Sequence, residues 1–303
     1  MKSKNLLLLV LLPAIWGCYY VASQQSVARM SVFSVGIIIR FVTMIFLLLI
    51  MLRKKEIKLL LNTKGILRRL ILIGMLGFLL DLTAFLGLSM ASAGIGTAIL
   101  KCDIIFVNLL SVFIDKEKFT KHDWGFSLLM LAGVFMVMDI NFQAFDIVNG
   151  GNIFFILSAI FVSINAFVIK SVQLDKKNPA VDNVIAFYNN FITMLLFLVS
   201  SVVMESLSQI SGLVKETGLF VAAVTAGVGQ TLVYVVYYYN LRNNPVWIVK
   251  VFLLLMPIVS LLVSFILFGE AANGRQYIGI FIVLAGALGV LLEQKKKTAA
   301  ETL

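Results

Sequence analysis

Leu109-Leu110-Ser111, Glu117 and Leu131-Ala132-Gly133 return 153 residues later as Leu262-Val263-Ser264, Glu270 and Leu284-Ala285-Gly286. These marks lie inside a longer stretch, residues 88–134, that maps onto residues 241–287 without a gap. Each copy reads as an apolar helix, an acidic hinge and a second apolar helix. The front ends of the two halves match as well. Phe41-Val42-Thr43-Met44-Ile45-Phe46-Leu47-Leu48 resembles Phe191-Ile192-Thr193-Met194-Leu195-Leu196-Phe197-Leu198. One hydropathy pattern written twice is the sequence mark of a fold built from repeats.

Composition says what kind of repeats. The chain is 61% hydrophobic and 13% charged, with mean hydropathy +1.02, far outside the range of soluble domains. Ten apolar runs approach the ~20 residues needed to cross a bilayer. They are expected at 5–23, 31–52, 69–89, 93–114, 124–140, 151–172, 182–204, 217–240, 245–267 and 275–292. Backbone in lipid must satisfy its own hydrogen bonds, so these runs are helices and the short polar stretches between them are connections. The fold expected is an all-α membrane protein of ten transmembrane helices, in two repeats spanning residues 1–145 and 146–303. Lys2, Lys4 and the following leucines resemble the start of a signal peptide. No small-residue cleavage site follows, and Trp16-Gly17-Cys18-Tyr19-Tyr20 is unlike the end of its apolar core, so the stretch reads as helix 1. Cys18 and Cys102 both lie within apolar runs, which argues against a disulfide framework.

The net charge of +10 gives orientation rather than an affinity for nucleic acid. Segments on one side of the ten spans hold 19 Lys and Arg, most densely in 53–69 and 295–297, against Arg29, Lys215 and Arg275 on the other. The positive-inside rule then places both termini in the cytoplasm. Five helices per repeat is an odd number, so the second copy is inverted relative to the first. A pseudo-twofold axis in the membrane plane and a central cavity follow, the arrangement that supports alternating access.

Trp16-Gly17-x-x-Tyr20, the doubled units ending at Glu117 and Glu270, and the paired Leu-Ala-Gly triplets carry a resemblance to the drug/metabolite transporter superfamily, of the EamA-like ten-helix type. The resemblance implies two five-helix bundles around a central cavity, both termini cytoplasmic, and export or exchange of small metabolites across the cell membrane. Helix 4 departs from the pattern. Family members often carry proline there, as helix 9 does at Pro257, whereas this chain has Asp103-Ile104.

Placing an ionised side chain at mid-bilayer costs roughly 2.5–3.5 kcal/mol, so each of Arg40, Asp81, Lys101, Asp103 and Lys250 asks for a reason. One reading is a pair of structural ion pairs holding helices 2, 3 and 4 together. The other is a network linked to substrate and protons. Residues two apart on a helix point about 200° away from each other, so Lys101 and Asp103 are not expected to share one site. Lys101 lies one turn from Thr97, the repeat partner of Lys250, and Asp81 is the repeat partner of Tyr234. The substrate cavity is therefore expected to be lined by Trp16, Asp81, Lys101, Tyr234 and Lys250. Asp103 is expected to turn toward helix 2 and Arg40 as the charge network or coupling pair. Lys250 has no acid in its own helix or in helices 8 and 10, which leaves it to contact an anionic part of the substrate or to snorkel to the interface.

Tyr237, Tyr238 and Tyr239 read as interface-belt aromatics. Asn165, Asn189, Asn190 and Gln230 read as hydrogen bonds between helices, with Asn190 the repeat partner of Arg40. Gly74-x-x-Gly77, Gly94-x-Gly96, Gly227-x-Gly229 and Ala285-x-x-x-Gly289 allow close helix approach. Pro13 and Pro257 should kink helices 1 and 9.

No Gly-x4-Gly-Lys-Ser/Thr loop is present, so ATP is not the direct energy source. The single histidine, His122, falls in a charged loop, which excludes a His-based metal site or catalytic dyad. No Gly-x-Ser-x-Gly elbow points to a membrane enzyme. The reading is a secondary active transporter and not an enzyme, without metal or other cofactor. It exports or exchanges small polar metabolites, amino acids or related compounds. Its partners are the lipid bilayer, a small-molecule substrate, and protons or a counter-substrate, with no nucleic acid; it is a monomer or homodimer. An antiporter of organic or phosphorylated anions is the alternative within transport. A non-transporting accessory or lipid-handling protein is the alternative of another class.

Overall fold

A computed structural model describes residues 3–27, 31–90, 99–116, 119–140, 150–177, 180–204, 206–269 and 271–301. Its helices in chain order are α1 (Ser3–Val27), α2 (Val32–Arg53), α3 (Leu67–Met90), α4 (Asp103–Phe113), α5 (Lys121–Val137) and α6 (Gly150–Gln173). They continue with α7 (Asp182–Val203), α8 (Ser208–Lys215), α9 (Thr217–Asn243), α10 (Val246–Leu253), α11 (Met256–Phe268) and α12 (Gly274–Glu301). Among the described residues, helix occupies each of the ten apolar stretches, and seven segments are long and apolar enough to cross a membrane. Arg29, Gly94, Gly96, Thr97, Glu117 and Glu270 lie outside the described residues.

Hydropathy did not resolve three features. A 3-10 turn at Ile57–Leu61 and the short α8 decorate the connections, and the ninth stretch is two helices, α10 and α11. Conversely, α1 runs as one helix through Pro13. His122 belongs to the first turn of α5 rather than to a loop, and is exposed there. Thr120 and Asp123 start that helix by a reciprocal capping box, which satisfies donors that a helix N-terminus otherwise leaves open.

The chain buries one face of each helix and leaves large apolar side chains outside. Phe41, Phe113 and Phe281 are among the exposed ones, a surface that suits lipid and not water. Inside, α3 packs on α6 and α1 on α9; α3 packs on α7 and α9 on α2; α4 packs on α6 and α1 on α11. Three further seams, α2 with α7, α5 with α12 and α4 with α10, join the halves directly. Exchanging every helix for its counterpart about 150 residues away maps this set of pairings onto itself.

Individual bonds repeat the exchange. Thr43 donates to the Gly227 carbonyl at 3.1 Å, and Thr193 to the Gly74 carbonyl at 3.0 Å. The Phe-x-Thr-Met motif thus delivers one hydroxyl per half to a small-residue position on the facing helix. Lys116 (φ 53°) and Gly269 (φ 70°), again 153 apart, both take left-handed backbone where their helices end. Glycine is the residue suited to that conformation; the first half adopts it with a lysine.

The close approaches expected of glycine are present at several seams. Gly74 and Gly77 meet Ile192 and Asn189 of α7, Gly227 meets Val42 of α2, and Gly289 meets Phe126 of α5. The tightest backbone contact is Gly133 against Gly279, between α5 and α12. A Cβ on Gly279 would lie 2.7 Å from the Val137 nitrogen and 2.8 Å from the Gly133 carbonyl. Backbone cannot yield as a side-chain tip can. Gly279→Ala is therefore expected to destabilise the protein by about 1–3 kcal/mol through overpacking. Gly125→Ala on α5, where no atom lies within 4 Å, should be neutral or stabilising by up to about 1 kcal/mol. Thermal unfolding in detergent compares the two, and equal losses would rule out a tight α5–α12 seam.

Candidate functional site

Two helices break at the same place in the two copies. α4 is preceded by helical residues 99–100 and by an irregular step at Lys101–Cys102; α10 and α11 are separated by Leu254–Leu255. The steps are 153 residues apart, and so are their hydrogen bonds. Cys102 N–H donates to Ile99 and Ile105 N–H to Cys102, as Leu255 N–H does to Phe252 and Ile258 N–H to Leu255. Pro257 accounts for the second break, since it has no N–H for the next helical bond. The first occurs without proline, since Ile104 stands where the second copy has Pro257. Irregular backbone within a membrane segment is tolerated where it is buried in protein or lines a cavity, and broken helices at corresponding positions mark the binding site in repeat-built transporters.

A cavity of about 150 Å³ lies at these breaks, and Trp16, Arg40, Asp81, Lys101, Asp103, Tyr234 and Lys250 all line it. The structure brings the seven residues expected from sequence together, but it pairs them differently. Lys250 Nζ donates to Asp103 Oδ2 at 2.8 Å, with Lys250 only 2% exposed. Arg40, 4% exposed, pairs with Asp81 and also donates to the Tyr234 hydroxyl. The expected Arg40–Asp103 pair is therefore replaced by Arg40–Asp81 and Lys250–Asp103. The reason is the neighbourhood of α4, which packs on α6 and α10, whereas α2 packs on α7 and α9. Lys250 neither snorkels nor stands free; its acid comes from the other half of the chain. Lys101 and Asp103 do share the cavity, because the helix is not continuous across Lys101–Cys102.

Arg40 is held from every side. Asn190, its repeat partner, donates to the Arg40 carbonyl at 2.7 Å and accepts from Nη1 at 3.5 Å, which gives both residues the inter-helix role expected of them. Asp81 and Tyr234, repeat partners of each other, both bind its guanidinium, and the Tyr234 ring lies 5.7 Å below it.

Tyr237 and Tyr238 are not interface aromatics. Both are buried and line the cavity, because positions 234, 237 and 238 share one face of α9. That i, i+3, i+4 spacing was the available signal. Tyr237 packs edge-on against Trp16 at 5.2 Å, and its ring carries Lys250 Nζ at 5.8 Å. Tyr238 accepts from Asn189 at 2.7 Å, whereas Tyr239 bonds Asn5 at the end of the bundle. Asn189 behaves as an inter-helix amide. Asn165 and Gln230 also line the cavity, and among the described residues their buried side-chain oxygens accept no hydrogen bond.

Lys101 is the odd member. Its Nζ lies 3.6 Å from Met256 Sδ, so the two helix breaks touch across the cavity through these side chains. Among the described residues, no group of three His, Cys, Asp or Glu could hold a metal ion.

These features define a helical membrane protein with a small interior cavity walled by ion pairs and aromatics. The chain belongs to the EamA-like transporter family, whose pattern matches residues 3–139 and 149–292. No curated protein matches it in sequence. The crystal structure of another protein is similar in fold, with TM-score 0.79 at 15% identity over 98% of this chain and 99% of the other.

An ion pair stripped of one member leaves a buried charge that costs about 3–5 kcal/mol. Asp103→Asn is therefore expected to lower stability or folded yield by that order. Adding Lys250→Met should restore most of it, while adding Arg40→Gln should not. Recovery with Arg40→Gln alone would return Asp103 to helix 2.

Proposed function

We propose that this protein is a secondary active transporter that moves small polar metabolites across the cytoplasmic membrane by alternating access. The observation that carries the reading is the cavity at two helix breaks in corresponding positions of the halves, lined by residues of both. The spacing of the breaks, the self-mapping helix pairings and the odd number of helices per half support two inverted repeats, 1–145 and 146–303, with ten spans. The Lys/Arg-rich ends of the helices support both termini being cytoplasmic.

The same ends are tied together by polar contacts. Arg242 of α9 pairs with Asp182 of α7 at 2.6 Å and donates to the Gln173 and Ala180 carbonyls. Asn183 donates to Glu56 at 2.5 Å, Tyr188 to the Leu60 carbonyl, and Arg69 pairs with Asp175. This latch closes the cytoplasmic end under the proposed orientation, and its opening is the movement that alternating access requires. Trp16, Asp81, Lys101, Tyr234 and Lys250 form the substrate wall, with Arg40 and Asp103 as the charge network that shapes it.

Two measurements test the reading. Purified protein in liposomes should show saturable counterflow of at least one class of small polar solute, and its absence across acids, amino acids and amines would remove the transport assignment. Asp182→Asn, in a background with Cys18 and Cys102 replaced by serine, should speed labelling of Val162→Cys from the cytoplasmic side by several-fold. An unchanged rate would exclude the latch as the gate.

A further inference from the structure

We infer that Lys101 anchors the single negative charge of a small organic monoanion, in the first instance a monocarboxylate. The inference rests on the transport reading and names the substrate class of the same cavity.

The cavity wall carries three cations, Arg40, Lys101 and Lys250, and two carboxylates, Asp81 and Asp103. Arg40 takes Asp81 and Lys250 takes Asp103. Lys101 is left over. Among the described residues no carboxylate lies within ion-pair distance of its Nζ, and its polar neighbour is a thioether sulfur at 3.6 Å, a weak acceptor. A cation inside an apolar bundle is costly unless something pairs it. The wall as built is therefore short of one negative charge.

That deficit separates substrate classes. A monoanion brings the wall to neutrality, a zwitterion leaves it at one positive charge, and a dianion overshoots. Both carboxylates are already engaged, so a substrate ammonium would have to compete with Arg40 or Lys250 for its partner. The rest of the wall suits a carbon body. Trp16 and Tyr237 form an edge-on aromatic pair, and Leu80, Ala84, Val162 and Leu253 add apolar surface. A cavity of this volume elsewhere admits a molecule the size of benzene. Lys101 also stands on the irregular step of the first half, against Met256 beside that of the second, so an anion on its ammonium would touch both breaks at once.

The test uses full-length protein and two matched series: 4-methylpentanoate, its amide and leucine, then 3-phenylpropanoate, its amide and phenylalanine. Thermal shift in detergent should show at least one acid binding at least about tenfold more tightly than its amide and its amino acid. Lys101→Met should abolish that preference, and Lys101→Arg should keep part of it, since a cation is what the ligand needs. Without ligand, Lys101→Met should melt no lower than wild type, and by the usual scaling about 2 °C or more higher. Lys250→Met, which strands Asp103, should melt lower. A fall in the melting temperature of unliganded Lys101→Met comparable to that of Lys250→Met would overturn the inference, because Lys101 would then be a structural cation. Amino acids bound as well as acids, or no acid bound at either size, would overturn it too.

Counterflow in liposomes tells the two ideas apart. Flux of leucine or an amine that Lys101→Met leaves intact sinks the monoanion and spares the transporter. Lys101-dependent acid binding with no flux of any solute keeps the site and sinks transport.

Discussion

The Lys250–Asp103 pair is the interaction on which the interior depends. Neither partner could be buried alone, because an unpaired ion in a low-dielectric interior costs several kcal/mol that packing does not return. The lysine comes from the second half of the chain and the aspartate from the first, 147 residues away. Satisfying the charges therefore fixes α10 against α4 and brings the two helix breaks together. Arg40 does the same for α2, α3 and α9 through Asp81 and Tyr234. Hydrophobic residues of similar volume could stabilise such seams equally well, so charge at these positions has a use beyond holding helices.

The cavity exists because regular helix stops there. A continuous helix spends its backbone donors and acceptors on itself and offers only side chains. At Lys101–Cys102 and Leu254–Leu255 the bonds tighten to the three-residue type, and successive side chains no longer diverge by 100° each. Lys101 and Asp103 can then face the same space. Proline makes one break covalently obligatory. The other, without proline, depends on its surroundings alone.

Much of this was legible in the sequence. The apolar runs gave the positions of the helices, the cost of charge in lipid singled out Arg40, Asp81, Lys101, Asp103 and Lys250, and the shift of 153 added Tyr234 as the counterpart of Asp81. Pairing positions across the halves gave Arg40 and Asn190 an inter-helix role, and the structure adds that they meet each other. What was not legible is equally instructive. Sequence assigned Asp103 to Arg40 because a continuous helix would turn it away from Lys101, and could not see that α4 packs on α10 from the second half. It placed Tyr237 and Tyr238 at the interface by nearness to the end of a span, although their spacing from Tyr234 put them on its face. It missed the helix break at Lys101–Cys102 because Ile104 stands where the counterpart helix carries proline. Of the three, the Asp103 pairing and the first break depend on contacts between residues distant in sequence, which periodicity along one helix does not contain. The tyrosine face, by contrast, was legible in the spacing.

The placement of the ion pairs also bears on how the bundle can move in the proposed cycle. A step that parted α4 from α10 would strand Asp103 and Lys250, and one that parted α2 from α3 would strand Arg40 and Asp81. Both cost more than a seam made of apolar contacts alone. The pairs thus divide the interior into two units, α4 with α10 and α2 with α3 and α9, and leave the seams between those units as the cheaper ones to slide. Lys101 belongs to the first unit and the Asp81–Arg40–Tyr234 group to the second, so the cavity lies on the boundary. An anion on Lys101, with its body against Tyr234 and Trp16, would bridge the two units and hold the boundary in one of its arrangements, which is the differential affinity that any ligand-driven change of state requires.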